Sequence, residues 1–204
     1  MDDETLVRAF QAGNLDAFDE LFVRYQTQNL RTAVLITGNQ DSENILQETF
    51  IKCYQSLPQL KNPAQFKTWL YRILTRTAWA YCKKQKKEQP VEEIYDVYQV
   101  SLPLEKSSLE LVTETEEQQR LLAAVSQLQP KQKTVIVLHY YNGFSIEEIA
   151  KATGALLGTV KSRLFTARRN LQKALQTTDF VDDSVSLDVA SGEVQQKYIT
   201  SVAL

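Results

Sequence analysis

The segment from residue 145 to residue 171 constrains the fold more than any other, and its sequence is SIEEIAKATGALLGTVKSRLFTARRNL. Ser145, followed three residues later by Glu148, forms a capping box, which predicts the start of a helix. Gly154 can adopt a positive φ and end that helix. Two short helices joined by a tight turn predict a helix-turn-helix, a motif that places its second helix in the DNA major groove.

The second helix of this segment has an apolar stripe and a polar side. Apolar residues recur at helical steps of three and four, at Val160, Leu164, Ala167, Leu171 and Leu175. The remaining side chains are cations, which neutralise phosphates, and hydroxyls, which can reach base edges. The predicted DNA contacts are Thr159, Lys161, Ser162, Arg163, Thr166, Arg168 and Arg169. The alternative is a helical hairpin whose charges are only solvated.

Composition favours an all-α protein of the cytoplasm. Only 6 Gly and 5 Pro occur in 204 residues, and no apolar run approaches the roughly 20 residues that span a bilayer. The acidic beginning, MDDETLVRAF, lacks the parts of a signal peptide. Cys53, Cys82 and the single His139 show no metal-ligand spacing, so we expect no metal and no cofactor. His139 is predicted to be a partly buried packing residue, and no catalytic set of side chains is indicated.

Charge is segregated along the chain, whose net charge is −2. Residues 1–88 carry 12 basic and 10 acidic side chains, and residues 118–176 carry 9 basic and 2 acidic ones. Residues 89–117 carry 1 basic and 8 acidic side chains, and residues 177–204 carry 1 and 5. The segment charges +2, +7, −7 and −4 sum to −2. Because nucleic-acid affinity follows the local patch, this pattern predicts two small helical domains (1–88 and 118–176), an acidic linker (89–117) and an acidic tail (177–204) of unknown role.

A long helix is predicted from about residue 65 to residue 84, after a loop that contains two prolines. One of its stripes interleaves aromatic and basic residues, at Trp69, Arg72, Arg76, Trp79 and Lys83. Flat rings stack on unpaired bases while cations follow the backbone, so this stripe favours single-stranded nucleic acid. The alternative is that both tryptophans belong to the core.

The preceding helix, predicted over residues 39–56, carries acidic and amide side chains opposite its apolar face. This side includes Asp41, Glu43, Gln47 and Glu48. Composition alone favours contact with solvent, although such a surface can also dock a basic partner. The acidic linker leaves similar alternatives open, because it is either a solvated tether or a segment that lies against a partner or the chain's own domains.

Several motifs, in this order, resemble the bacterial sigma factors of the extracytoplasmic-function group over about residues 5–84 and 118–176. The first domain contains the motif Gln47-Glu48-Thr49-Phe50, then Trp69-Leu70-Tyr71-Arg72-Ile73 followed by a lysine-rich run. The second domain contains Glu147 to Ala150, Gly158 to Arg163, and Ala167-Arg168. The resemblance implies a region-2 helical bundle, a region-4 helix-turn-helix, and a DNA-binding protein that is not an enzyme.

The resemblance also implies partners and contacts. Core RNA polymerase would bind the acidic helix through its clamp helices, at Asp41, Glu43, Gln47, Glu48 and Phe50. The −10 promoter element would be recognised and melted by Lys61, Asn62, Lys67, Trp69, Tyr71, Arg72, Arg76, Trp79, Lys83 and Lys84. The second helix of the helix-turn-helix would bind the −35 element, and the linker would enter the polymerase channel that later carries RNA. An anti-sigma factor is a further expected partner.

The sequence departs from the family at positions that matter for these contacts. Arg76 and Ala80 stand where the family usually has Asn and Asp, and Leu156 replaces a Ser or Pro before the second helix. One competing hypothesis is a helix-turn-helix regulator that binds duplex DNA without being a polymerase subunit. Another is an enzyme that uses the motif for targeting.

Overall fold

The computed structural model describes residues 1–38, 41–88 and 116–176, and the regular elements in these ranges are helical. The eight α-helices are α1 (Asp3–Gln11), α2 (Asp16–Thr37), α3 (Ser42–Ser56), α4 (Phe66–Glu88), α5 (Glu116–Ser126), α6 (Pro130–Ile136), α7 (Ile146–Thr153) and α8 (Leu157–Gln176). This confirms the predicted all-α class. Residues 89–115 of the predicted linker and the whole predicted tail lie outside the described residues.

The bounds of two helices differ from those that the sequence pattern predicts, one at its start and one at its end. Helix α3 begins at Ser42 rather than at residue 39. Helix α4 extends to Glu88 and follows two 3-10 turns, Leu57–Gln59 and Pro63–Gln65, each of which has a proline in its first positions. Proline lacks the backbone N–H that a helix interior needs, and it is therefore tolerated at such a start.

Helices α1 to α4 form an N-terminal bundle around an aromatic core. Phe18 contacts the rings of Phe10, Phe50 and Tyr54 at centroid distances of 5.5, 6.4 and 5.0 Å. Offset and edge-on ring pairs of this kind add to the free energy of burying the rings themselves. These contacts hold α1, α2 and α3 together, and α4 packs against α2 and α3.

The C-terminal bundle, α5 to α8, contains the helix-turn-helix. The predicted capping box is present: the Ser145 hydroxyl accepts from the Glu148 N–H at 3.2 Å, and the Glu148 carboxylate accepts from the Ser145 N–H at 2.8 Å. Gly154 ends α7 with φ 68°, the left-handed conformation that favours glycine. Val160, Leu164, Ala167 and Leu171 are buried as the stripe predicts, and Leu175 is half-buried.

The two bundles pack directly against each other, chiefly through α4 and α7. The Thr75 hydroxyl donates to the Ala152 carbonyl oxygen at 3.1 Å, and the Trp79 indole donates to the Thr134 hydroxyl at 2.9 Å. Beside them, the amide nitrogen of Asn142 donates to the hydroxyls of Thr32 and Tyr71, both at 3.0 Å. Since Asn142 is buried, this polar cluster holds the bundles in one closed arrangement.

Candidate nucleic-acid interface

Helix α8 turns most of its predicted DNA contacts away from the core. Lys161, Ser162, Arg168 and Arg169 are exposed. Thr159, Arg163 and Thr166 are half-buried at the edges of this surface. This exposure pattern follows from helical geometry, because residues three or four positions apart lie on the same side of a helix. The apolar stripe therefore fills the buried side of α8 and leaves the polar residues on the other sides. The predicted set lies outside the buried stripe, with Ser162 and Arg169 opposite that stripe.

The cations of this surface are available for a ligand. Lys161, Arg163 and Arg169 form no ion pair with another residue in the described parts of the chain. The Arg168 guanidinium lies 5.5 Å from the centre of the Tyr140 ring, a cation–π contact that fixes its stem beside the core. Unpaired cations on one helix side suit a polyanion such as the phosphate backbone of DNA.

Three large apolar side chains on this surface were not among the predicted contacts. Phe165 is 68% exposed, Leu156 80% and Leu157 46%. Apolar side chains at a major groove can contact the methyl group of thymine. Phe165 could have been found from the sequence, since it lies one position off the buried stripe. The exposure of Leu156 and Leu157 depends on where α8 begins.

The predicted −10 residues lie on and just before α4, and most of them are accessible. Lys61, Asn62, Lys67, Arg72, Arg76, Lys83 and Lys84 are exposed. Trp69 and Trp79 are half-buried, so the alternative that the tryptophans belong to the core holds in part. The Trp69 ring lies 6.1 Å from that of Phe66, which is buried in the core.

Tyr71 does not lie on the surface, and its prediction as a DNA contact needs correction for this arrangement. The side chain is 0% exposed, and its ring lies 4.9 Å from that of Phe144 in the C-terminal bundle. Burial raises the pKa of the Tyr71 hydroxyl well above its ordinary value. The family motif gave no sign of this, because the covering residues Asn142 and Phe144 are about 70 positions away in the sequence.

The closed arrangement also occupies part of the aromatic and basic stripe. Thr134 accepts the indole N–H of Trp79, and the Lys131 ammonium lies 6.0 Å from the centre of that ring. The Lys67 ammonium lies 5.1 Å from the centre of the Phe144 ring. Arg72 and Arg76 remain exposed at the edge of the junction. Full access to Trp79 and Tyr71 therefore requires the bundles to separate.

The predicted docking residues of α3 divide into surface and core. Glu43 and Gln47 are exposed, and Asp41 and Glu48 are half-buried. Glu48 forms an ion pair with Lys52 at 2.5 Å, and the hydrogen bond from Lys52 lowers the pKa of the Glu48 carboxyl. Phe50 is a correction, since it is 5% exposed and packs on Phe22 with ring centres 4.7 Å apart.

An apolar groove of about 570 Å³ lies between α2 and α3, beside the docking residues. Its lining includes Phe22, Leu46, Gln47, Ile51 and Tyr54. Ile51 is 51% and Tyr54 44% exposed, although both are large apolar or aromatic side chains. The acidic and amide residues rim this groove, so the surface combines an apolar floor with polar edges, as protein interfaces commonly do.

The remaining predictions concern single residues and chemical groups. His139 is half-buried and forms a hydrogen bond between Nδ1 and the Phe144 carbonyl at 3.0 Å, which confirms a packing role. Within the described ranges, no cluster of three His, Cys, Asp or Glu side chains could hold a metal ion. None of the helices in those ranges is both long and apolar enough to cross a membrane.

Comparison with known proteins matches both bundles to family models. The Sigma-70 region 2 model matches residues 21–88, and the Sigma-70, region 4 model matches residues 118–171. The chain is 32% identical over 181 residues to an ECF RNA polymerase sigma-E factor of Haemophilus influenzae, which covers 85% of this chain and 95% of that protein. It is 30% identical to an RNA polymerase sigma-H factor of Pseudomonas aeruginosa, with 85% and 94% covered.

Solved structures show the same fold. A sigma factor RpoE of Bartonella quintana, crystallised with the anti-sigma factor NepR, aligns with a TM-score of 0.63 and 24% identity over 83% of this chain. The alignment covers 100% of that chain. CnrH, in complex with the cytosolic domain of CnrY, aligns with a TM-score of 0.62 and 21% identity, covering 86% of this chain and 97% of its own.

Proposed function

Because the chain belongs to the sigma-70 family, in its extracytoplasmic-function group, we propose that three of its surfaces carry the three contacts of transcription initiation. As a sigma factor, the protein binds core RNA polymerase and promoter DNA and directs initiation. We assign each of these contacts to particular residues of two proposed domains, residues 1–88 and residues 118–176. The single observation that supports it most is the cationic outer side of α8.

Helix α8 is proposed to bind the −35 duplex in the major groove. Lys161 and Arg169 would neutralise phosphates, and Ser162 would reach base edges from the centre of the exposed side. Thr159, Arg163, Thr166 and Arg168 flank them. Phe165, which is 68% exposed, joins this set as an apolar contact. The buried stripe keeps α8 rigidly seated, and a rigid support is what precise base contacts require.

Helix α4 and the turn before it are proposed to capture the unpaired −10 strand. Lys61, Lys67, Arg72, Arg76 and Lys83 would follow the backbone, while Trp69 and Trp79 offer flat rings to bases. Stacking contributes roughly 1–3 kcal/mol per base, which is released only when a base leaves the duplex. The protein would thus use binding free energy to open the strands and would perform no covalent chemistry.

Helix α3 and the apolar groove beside it are proposed to dock on core polymerase. Glu43 and Gln47 would meet a basic partner at the rim, and Ile51 and Tyr54 would supply apolar contact. An exposed apolar floor with a charged rim suits a helical partner surface. The acidic linker is proposed to follow the polymerase channel. We place the protein in the cytoplasm, with its polymerase, and infer an anti-sigma factor as a regulatory partner, because the similar Bartonella quintana sigma factor was crystallised with one.

Transcription from a genomic DNA library, by core polymerase with and without this protein, tests the assignment. We expect new starts preceded by two motifs about two helical turns apart, each turn being roughly 10–10.5 base pairs. Lys161→Ala should reduce these starts, while Lys151→Ala, which removes an exposed cation of α7, should not. Duplex binding by the protein alone, without new core-dependent starts, would indicate a conventional helix-turn-helix regulator instead.

A further inference from the structure

Two opposite sides of α4 carry different sets of side chains. The aromatic and basic stripe that includes Arg76 and Trp79 lies on one side. Thr77, Tyr81 and Gln85 recur at steps of four, so they share another side of the helix. At about 3.6 residues per turn, this second stripe lies almost opposite the first. Each of its three side chains forms a hydrogen bond with α3 or with the residue just before α3.

The carboxylate of Asp41 is held by the second stripe. The side-chain amide of Gln85 donates to this carboxylate at 2.9 Å. Asp41 stands at the N-cap position of α3, where an aspartate usually accepts a backbone N–H of its own helix. Its side chain forms no such capping hydrogen bond. The carboxylate is therefore fixed by α4 instead of by α3.

The carboxylate of Glu48 is held from two directions. The Tyr81 hydroxyl donates to it, and the Lys52 ammonium pairs with it at 2.5 Å. The Lys52 ammonium donates in turn to the hydroxyl of Thr77, which is 1% exposed, at 3.3 Å. Burial, the hydrogen bond to Glu48 and the charge of Asp41 raise the pKa of the Tyr81 hydroxyl, so this group keeps its proton and remains a donor.

These contacts restrict side chains that would otherwise be mobile. When a partner binds, each flexible side chain that it immobilises reduces the affinity by roughly two- to tenfold. Because α4 already holds the carboxylates of Asp41 and Glu48, this ordering takes place on folding and not on binding. A basic partner of α3 would therefore meet both carboxylates in a fixed arrangement.

We propose that Tyr81 and Gln85 are positioning residues of the core-polymerase docking surface. Tyr81 orients the carboxylate of Glu48, and Gln85 orients that of Asp41. The two residues act through these carboxylates and lie on the side of α4 that faces away from the proposed DNA contacts. This inference rests on the proposed role of α3 in docking on core polymerase.

Displacement of the labelled parent protein from core RNA polymerase measures the affinity of each unlabelled full-length variant. Tyr81→Phe and Gln85→Ala should each bind core about two- to tenfold more weakly than the parent. Tyr25→Phe is the matched control, because it removes a phenol–carboxylate hydrogen bond of the same kind, to Asp3 of α1, from the same bundle. This control should lower thermal stability but leave the affinity for core unchanged.

Double variants separate positioning from a general effect on the fold. In a Glu48→Ala background, Tyr81→Phe should cause no further loss of affinity, because the carboxylate that it orients is absent. In an Asp41→Ala background, Tyr81→Phe should keep its effect and Gln85→Ala should lose its own. A merely structural role would weaken binding to the same extent in every background.

The proposal is overturned if Tyr81→Phe and Gln85→Ala bind core as tightly as Tyr25→Phe does, or if their effects are equal in all backgrounds. The single variants Glu48→Ala and Asp41→Ala distinguish this failure from a failure of the docking assignment. If these two weaken core binding while Tyr81→Phe and Gln85→Ala do not, α3 keeps its role and only the positioning proposal falls. If all four leave the affinity unchanged, the assignment of α3 falls as well.

Discussion

Asn142 is the residue whose replacement should most directly separate the two bundles. Its side-chain amide donates to the hydroxyls of Thr32 and Tyr71 at 3.0 Å each, across the junction between them. Both partners are 0% exposed and Asn142 is 4% exposed, so water cannot take over these bonds while the junction stays closed. Asn142→Ala leaves a buried phenol hydroxyl without this partner, whereas Thr32 still donates to the Gln28 carbonyl oxygen.

The size of the shift between the closed and open arrangements follows from these hydrogen bonds. Asn142→Ala removes these two hydrogen bonds and a longer one, from the Thr32 hydroxyl to the side-chain oxygen of Asn142 at 3.4 Å, and each lost bond costs about 1 kcal/mol net. Because opening the junction hydrates the Tyr71 hydroxyl, this cost falls on the closed arrangement only. The closed-to-open ratio should therefore fall by about 2–3 kcal/mol, roughly 30- to 150-fold.

Affinity for single-stranded DNA measures this shift. If only the open arrangement offers Trp79 and Tyr71 to bases, the apparent dissociation constant scales inversely with the open fraction. Asn142→Ala should then bind a mixed-sequence oligonucleotide about 30- to 150-fold more tightly, up to the point at which the open arrangement predominates. Asn170→Ala, which changes an exposed asparagine of the same bundle, serves as the control.

Trp79 provides a second signal, since its indole donates to Thr134 across the junction. In a Trp69→Phe background, replacement of Asn142 should shift the Trp79 emission to the red. The Trp79 indole should also become more accessible to the quencher acrylamide. The reasoning is refuted if Asn142→Ala lowers thermal stability while strand affinity and Trp79 emission match those of the Asn170→Ala control.

Three further outcomes are expected. Glu48→Ala should weaken core-polymerase binding several-fold, about 1 kcal/mol, in a pull-down or anisotropy titration. Glu4→Ala, which also breaks an i,i+4 ion pair, should leave the affinity unchanged. Equal affinities of the two variants would remove Glu48 from the docking surface. Gly154→Ala should lower the free energy of unfolding by about 1–2 kcal/mol, because φ at this position is 68°. Gly158→Ala, inside α8, should raise the free energy of unfolding by about 0.5–1 kcal/mol. Changes of the same sign for both variants in denaturant melts would contradict this. The hydrogen bond from the Ser145 backbone N–H is the main cause that lowers the pKa of the Glu148 carboxyl below 4.5. The stabilisation by the Glu148 carboxylate should therefore be complete above pH 4.5 and be lost as the pH falls through the lowered pKa. Glu148→Gln should lack this pH dependence, and an unchanged acid-unfolding profile in that variant would argue against it.

Local features of the fold could be predicted from the sequence because their causes are local. The capping box at Ser145, the left-handed Gly154 and the buried stripe of α8 depend on residues within a few positions of one another. Sequence periodicity therefore predicted the helix-turn-helix and the surface on which its cations lie. It also predicted that Trp79 and Arg76 share one stripe of α4, which the exposure pattern allows.

The junction between the bundles could not be predicted, since its partners are far apart in the sequence. Thr134 lies 55 residues from Trp79, and Asn142 lies 71 residues from Tyr71. A motif shows that Tyr71 follows Trp69 and Leu70 but not that Phe144 covers its ring. Phe50 was assigned to docking only through the family motif Gln47-Glu48-Thr49-Phe50, whereas the structure packs its ring against Phe22 of α2.

Site-specific crosslinking within the initiation complex tests the central assignment most directly. A photoreactive amino acid is placed at Arg76 on α4 or at Ser162 on α8, and both positions are exposed. With core polymerase on a promoter found in the library experiment, the probe at position 76 should crosslink the non-template strand of the −10 element, and only after melting. The probe at position 162 should crosslink the −35 duplex. Exchange of these two products, or crosslinks that form equally on non-promoter DNA, would contradict the assignment of α4 and α8.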